Sequence, residues 1–545
     1  MNKKFLILYS CAFAIGAQAQ SGKPTTGGGS VQDQSQEVIK NFDARLIETE
    51  KVKTTPYLPA VDTSVKAQTY NVPNRSVSLD YLPPKLRPVA MKVEALPPQY
   101  DGYVKAGYGM PNSPYFDAAY RLTEPKKYNL NFKLKHHSAD FKTIENQRFA
   151  TTGGDISGSF FAPQQGLAID GQVGFKQDAQ WYYGYNHTKD TINSEASRQH
   201  FNLFNIGASV YNSAKTAADI DYRADIKFYN LSDFQGTHEN EFSMDLKATK
   251  WIQEKHPIGI SLKGDFLSND TVSNGKSQDL NTLRLQPYFI YHADQFKVKI
   301  GANLGYYKDD FYPMPDLEAS VNLGGLSAYA GWKGDFIRYS YRNLSAYNPY
   351  VLPRIRITAG QQFEYFGGVK GVVSFLDYQV QAGWSNFRNL AMFLSDSSDR
   401  FKRFKTIYDT VGIFNVRATI TARPIKDLEI TGTLSQNAYS PTNQERAWGL
   451  PSLDWNIAAK YMFLPEKAFA KANLYVQNGV NYKNAQGQAD RLGALIDLSI
   501  GAEYWFAKNI GAFVDANNIL NNKRERWQNY PTYGLNLYGG ITARF

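Results

Sequence analysis

Seven histidines, a single cysteine and 50 acidic residues are the raw material for a chemical site in this chain, and their spacing assembles none. His136 and His137 are adjacent, so in a strand they point to opposite faces and cannot share a metal. His187, His200, His238, His256 and His292 are scattered without ligand spacing. Asp309, Asp310 and Asp316 flank Tyr312-Pro313-Met314-Pro315. Those acids could supply some of the roughly six to eight oxygens that calcium takes, but a solvated acidic loop accounts for them without an ion. No G-x-S-x-G elbow occurs, and no serine, histidine and acid can be paired by spacing into a triad. The expectation is a protein that is not an enzyme, with no metal site and no cofactor.

What the chain does carry is alternation. Ala494, Ile496, Leu498, Ile500, Ala502, Tyr504 and Phe506 interleave with Asp497, Ser499, Gly501 and Glu503. Phe296, Val298, Ile300, Ala302, Leu304 and Tyr306 alternate with Lys297, Lys299 and Asn303, and Ile220, Tyr222, Ala224, Ile226 and Phe228 with Asp221, Arg223, Asp225 and Lys227. Side chains alternate faces along a strand, so each segment has one greasy and one wet face. The last segment does the same: Tyr533, Leu535, Leu537, Ile541 and Phe545 are apolar, with Asn536, Thr542 and Arg544 between them. A tilted strand of about 9–11 residues crosses a bilayer core, and these segments are long enough. Charges this dense suit a polar interior, with the apolar face turned to lipid. Asp245, Lys247, Lys263, Asp265, Arg417 and Lys471 belong to that interior. They would select solutes in an open pore or neutralise one another across the lumen.

The connections alternate in length. Residues 521–532, 478–492, 440–452, 395–408, 343–360, 308–315 and 268–279 read as long and polar. Those near 507–509, 465–467, 424–427, 324–325 and 293–294 are tight. Long loops at one end and short turns at the other are the rule for outer-membrane barrels. The fold class is therefore all-β: an antiparallel transmembrane β-barrel over residues 101–545, of about 22 strands and possibly as few as 16, the weakest segments being 103–122 and 361–394. Trp181, Tyr182, Tyr183, Trp251, Tyr306, Tyr307, Tyr504, Trp505 and Trp527 lie near segment ends and read as interfacial girdles.

The N-terminus has another character. Lys3 and Lys4 precede an apolar stretch from Phe5 to Gly16, and Ala17-Gln18-Ala19 forms an A-x-A pattern, so residues 1–19 read as a signal peptide cut between Ala19 and Gln20. Cys11 lies within it, in Leu8-Tyr9-Ser10-Cys11, where the apolar run is too short before the cysteine and continues after it for a lipoprotein box. A chain cut there has no thiol chemistry. Beyond it no run of about 20 apolar residues offers a membrane helix. The formal charge of +10 is scattered among acids with no nucleic-acid motif, which excludes nucleic acid and leaves anionic lipid headgroups as the partner of a basic surface.

Residues 20–100 form a mostly irregular arm. Gly27-Gly28-Gly29-Ser30 is a flexible linker, and Pro56, Pro59, Pro73, Pro83, Pro84, Pro88, Pro97 and Pro98 favour extended chain. Over 35–50, Val38, Phe42 and Leu46 recur every four residues, which suits a short amphipathic helix that forms on docking a partner protein. The arm is too short and too rich in proline for a folded plug.

Near the C-terminus, Gly511-Ala512-Phe513-Val514-Asp515-Ala516-Asn517-Asn518-Ile519-Leu520-Asn521-Asn522, then Tyr530-Pro531-Thr532-Tyr533-Gly534 and the terminal Phe545, resemble the last hairpin of TonB-dependent receptor barrels. Leu96 to Gly109 resembles the start of the barrel in plugless proteins of that kind. The resemblance implies a barrel in the outer membrane of a Gram-negative cell, embedded in lipid and inserted by the barrel-assembly machinery through its closing strand. It implies passage or binding of an unknown solute, with the arm and C-terminus periplasmic. Neither a plug nor an energising motif near the mature N-terminus is found. The alternative is a structural or assembly component whose periplasmic arm docks a partner.

Overall fold

The computed structural model describes residues 100–270 and 277–545. Ala19, Gln20, the helix over 35–50 and its Val38, Phe42 and Leu46 stripe lie outside the described residues. The barrel strands begin with β1 (Gly102–Met110), β2 (Tyr115–Glu124), β3 (Tyr128–Asp140), β4 (Arg148–Ala162), β5 (Leu167–Trp181) and β6 (Arg198–Asn212). β7 (Ile220–Asp233), β8 (His238–Ile252), β9 (His256–Asp270), β10 (Ser277–His292), β11 (Phe296–Tyr307), β12 (Asp310–Asn322) and β13 (Leu326–Tyr339) follow. After one short helix, α1 (Tyr341–Tyr347), come β14 (Thr358–Val373), β15 (Leu376–Ser395), β16 (Phe404–Ala422), β17 (Leu428–Pro441), β18 (Leu453–Leu464) and β19 (Ala468–Asn478). A loop hairpin, β20 (Asn481–Lys483) and β21 (Ala489–Arg491), precedes β22 (Leu495–Tyr504) and β23 (Ile510–Asn517). A second one, β24 (Glu525–Trp527) and β25 (Tyr530–Pro531), precedes the last strand, β26 (Asn536–Arg544).

Setting the two loop hairpins aside, 22 strands form one antiparallel sheet, each paired with its neighbours in the chain. The sheet closes where β1 meets β26, from Tyr103 opposite Arg544 to Met110 opposite Leu537. Closure removes the two edges the sheet would otherwise have, so most backbone groups of the wall are satisfied within it. The weakest segments of the sequence are β1, β2, β14 and β15, all full members of the wall.

Alternation assigns the two faces as expected. Leu134, Ile300, Val514 and Ile541 are exposed on the outside, while Asn303, Ser499, Asp515 and Thr542 on the intervening positions are buried within. The outer face suits hydrocarbon. Its aromatic band includes Phe175, Phe204, Phe242, Trp332, Tyr365 and Trp384, all exposed, with Trp332 and Tyr365 stacked at 5.2 Å. Of the expected girdle residues, Tyr306 and Tyr504 are exposed. Tyr182, Tyr183, Tyr307, Trp505 and Trp527 are instead buried. Proximity to a strand end does not say which way a ring turns; the rank of the residue on the pleat and the course of the loops do.

One expected loop is absent. Lys308 and Asp309, both with positive φ, make a two-residue hairpin turn, and residues 310–315 already belong to β12. Pro313 and Pro315 are tolerated there because this part of β12 pairs only with β11, the pairing to β13 beginning at Asp316. The other tight turns fall where expected, and all lie at the opposite end of the barrel. The barrel strands run from 8 residues in β23 to 20 in β15, and the surplus length of β14–β16 stands at the long-loop end.

Candidate functional site

Among the described residues the larger hydrophobic core lies at the long-loop end, across the mouth of the barrel. Its buried members include Tyr183 after β5, Tyr229 and Leu231 on β7, Leu267 on β9, Tyr341, Leu344, Tyr350, Val351, Ile355 and Ile357 between β13 and β14, Phe404 on β16, and Trp527 and Tyr530 between β23 and β26. Residues from many sectors of the wall thus meet over the lumen. Residues 343–360, read as polar, supply a large share of it, and those apolar side chains would not be stable in an open loop in water.

Tyrosines hold the centre. Tyr350 and Tyr530 stack with centroids 3.8 Å apart, and Tyr183 packs edge-on against both. The Tyr350 hydroxyl donates to that of Tyr183 at 3.2 Å, and Tyr183 donates to the carbonyl of Pro531 at 2.9 Å. Tyr530 donates to the carbonyl of Phe401 at 2.6 Å. Each ring fills volume while its hydroxyl satisfies a partner, which lets a phenol sit in a dry layer. Burial pushes the Tyr183 hydroxyl up to about 12 and those of Tyr350 and Tyr530 well above their ordinary range. The backbone is sutured as well: Phe404 donates to Tyr350 at 2.9 Å, and Leu352 to Phe404 at 2.8 Å.

The segment 340–357 bridges the mouth. It is rooted on β13 and β14, meets β16 through Phe404, and also reaches β7–β10. Glu239 on β8, fully buried, accepts the backbone N–H of Tyr341 at 2.7 Å and of Arg342 at 2.9 Å. Asp233 on β7 accepts the Tyr341 hydroxyl at 2.5 Å. Gln278 on β10 holds the far end, donating to the carbonyl of Ile355 and accepting from the N–H of Ile357. A neighbouring loop is fixed by Asp409, which accepts the N–H groups of Asn443 and Gln444, both at 2.8 Å.

Below this layer the lumen is polar, and its charges pair along the wall. Asp265 is shared by Arg284 at 2.7 Å and Arg338 at 3.5 Å, and Arg338 also reaches Glu241 at 2.8 Å. Lys471 pairs with Asp515 at 2.6 Å, Arg417 with Glu364 at 2.5 Å, Lys247 with Asp245 at 2.9 Å, and Lys105 with Glu503. Pairing across the lumen, one of the two expectations, is corrected to pairing along the wall, within one strand for Lys247 with Asp245 and up to five strands apart for Arg338 on β13 with Glu241 on β8, because a 22-stranded barrel is too wide for side chains on opposite walls to meet. At the short-turn end a cavity of about 660 Å³ opens between Tyr103, Lys105, Asp117, Lys133 and Glu503, with Arg544 sandwiched between the rings of Tyr100 and Trp505.

The residues singled out in the sequence fall as follows. Leu537 and Ile541 are exposed on the outer face of the closing strand, and Leu535 is exposed just before it. Tyr533 precedes the strand and packs into the mouth against Phe141 and Phe149, each at 5.1 Å. Phe545 follows the strand and stacks on Tyr120 at 5.9 Å. His136 bonds Thr152 at 2.8 Å, while His137 on the other face sits among the rings of Tyr115, Phe149 and Tyr538. Asp309 and Asp310 accept from Tyr306 and Tyr312, and Asp316 pairs with Lys299 inside the barrel, so the three acids do not converge. The mouth layer was not anticipated. Its signal was present in the tyrosines of 182–185 and in Leu344, Val351, Ile355 and Ile357, apolar residues in segments too long and irregular to be strands.

No protein-family model and no curated protein sequence matches this chain. Solved structures do. The FrpB iron transporter from Neisseria meningitidis is similar with a TM-score of 0.64 at 8% identity, over 83% of this chain and 82% of that one. The copper transporter OprC aligns with a TM-score of 0.61 at 11% identity, over 83% of this chain and 82% of the other. The ferripyoverdine receptor of the Pseudomonas aeruginosa outer membrane, bound to ferripyoverdine, gives a TM-score of 0.59 at 10% identity, covering 83% and 72%. At such identities the common ground is the barrel fold.

Proposed function

We propose that this chain, whose fold is the 22-stranded barrel of the TonB-dependent receptors, passes a solute across the outer membrane when the loop layer over its mouth is displaced. The observation that carries this reading is the dry tyrosine layer across the mouth above a polar, ion-paired lumen. A constitutive pore would have hydrated loops and a clear axis. A barrel that only anchors would have no use for a wide polar lumen, where each buried charge needs a partner. In this reading the short turns, arm and C-terminus face the periplasm, and the long loops meet the solute outside. The similar structures include iron and copper transporters and a receptor holding ferripyoverdine, so metal-bearing solutes are the first class to test.

The test is conductance in planar bilayers. The intact protein is expected to be silent, and replacement of residues 343–356 by a short Gly-Ser turn is expected to give steady conductance. Steady current through the intact protein would refute the gated reading. Silence from both folded proteins would transfer the function to the second reading, a structural or assembly component whose arm docks a periplasmic partner through Val38, Phe42 and Leu46. That second reading draws support from the spacing of those three residues.

A further inference from the structure

We propose that Glu239 and Asp233 form a latch that holds segment 340–357 shut, and that this segment leaves the β7–β10 wall as a lid when the latch is released. The inference rests on the gated reading above and names the device within it. Glu239 is fully buried and Asp233 nearly so, and among the described residues neither takes part in an ion pair. Every donor to Glu239 is neutral: the N–H groups of Tyr341 and Arg342, the Tyr229 hydroxyl at 3.0 Å and the Asn269 amide at 3.3 Å. Asp233 takes the Tyr341 hydroxyl, the Gln199 amide at 3.2 Å and the Thr237 N–H at 2.7 Å.

The cations nearby are committed elsewhere. Arg338 pairs with Glu241 and Asp265, and the Arg342 guanidinium lies 4.5 Å over the Tyr229 ring. The closed state therefore keeps two carboxylates dry with hydrogen bonds alone, at a desolvation cost that water would relieve on opening. The lid in turn supplies three of their donors, so closing satisfies them and opening leaves them to solvent. Two arrangements of similar free energy are what a gate requires, and an all-apolar seam would favour only one. The Gln278 clamp at the far end is uncharged and serves as the reference contact.

The absence of any native cysteine other than Cys11 makes a clean probe possible. Ser345 lies in the lid, is buried, and donates to the Tyr341 carbonyl at 2.7 Å. In full-length protein carrying Cys11→Ser and Ser345→Cys, a membrane-impermeant maleimide is expected to label slowly. Adding Glu239→Gln should accelerate labelling at least about tenfold, and Gln278→Ala no more than about threefold. Equal rates with and without Glu239→Gln, equal acceleration by the two variants, or rapid labelling of the parent would each overturn the latch. Should Glu239→Gln fail to assemble, Tyr341→Phe removes only the hydroxyl held by Asp233 and is expected to accelerate labelling severalfold; an unchanged rate there overturns the latch equally. Conductance recorded on the same proteins separates the two claims. Faster labelling without current leaves the latch standing and removes the passage reading.

Discussion

At the scale of single residues, Tyr530 shows how the mouth is held. It stacks on Tyr350, meets Tyr183 edge-on and donates to Phe401, so three separate loop or strand-end segments converge on one side chain. Truncating a buried aromatic costs about 3–5 kcal/mol when the site cannot collapse, and these neighbours are fixed to different strands. Tyr530→Ala is therefore expected to lower the protection of amides in 340–357 by about that amount while leaving the barrel assembled. Hydrogen exchange on the loop, with the heat-dependent gel mobility of the barrel as control, checks both halves. Loss of the barrel itself would mean that the layer is part of the wall's stability and not a separate unit. The ion pairs of the lumen make a different local claim. Asp265→Asn leaves Arg284 with Asp335 and Arg338 with Glu241, so a change of conductance in the opened barrel, without a change in assembly, is the expected result.

At the scale of elements, the long loops behave as a small domain laid over the barrel. They have a core, backbone sutures and buried phenols, and their stability depends on pH in a defined direction. A tyrosine exposed in an opened loop ionises near 10, whereas burial holds the Tyr183 hydroxyl protonated to about 12. Its contribution to the closed state is complete below pH 10 and disappears as the pH rises through about 12. Labelling of the lid probe should be flat up to about pH 10, after correction for thiolate reactivity, and climb steeply above it. A climb that begins near neutrality would show that the phenols do not govern closure. The strand β12 carries the opposite lesson, since Pro313 and Pro315 break the pattern of a strand and yet lie in one. The splaying of β12 from β13 leaves that side of the backbone without ladder partners, so proline costs nothing there.

At the scale of the whole molecule, the barrel is a wall with an apolar outside, a polar bore and a dry cap. The closing strand carries Leu537 and Ile541 on its outer face with Leu535 exposed just before it, and Phe545 packs on Tyr120 just beyond the seam of β1 and β26. We propose that this end is what the barrel-assembly machinery reads. Deletion of Phe545 is expected to reduce the assembled fraction severalfold in cells, measured by heat-modifiable mobility of outer-membrane preparations. No reduction would release the terminal ring from that role. The arm is proposed as a docking segment, and Phe42→Asp with Leu46→Asp together should remove a co-purifying periplasmic partner without altering the barrel. Unchanged co-purification would end that idea.

Strand order, closure and the two faces were legible in the chain because a β-barrel is specified by local rules. Period-2 alternation fixes which side chain faces lipid, as in β7, β11 and β22, and turn length decides which strands are neighbours. Both are properties of residues close together in sequence, so about 22 strands, the tight turns and the inward charges follow from the chain itself. The pairing of those charges does not, because Arg338 with Glu241, or Lys105 with Glu503, joins strands set by the curvature of the wall. The mouth was decided by tertiary structure alone. Tyr183, Tyr350 and Tyr530 are separated by more than 150 residues each and have no shared periodicity, so nothing local marks them as one layer. Loops become a core only when the barrel has closed and brought their roots around a single opening, and then burial of apolar surface draws them together.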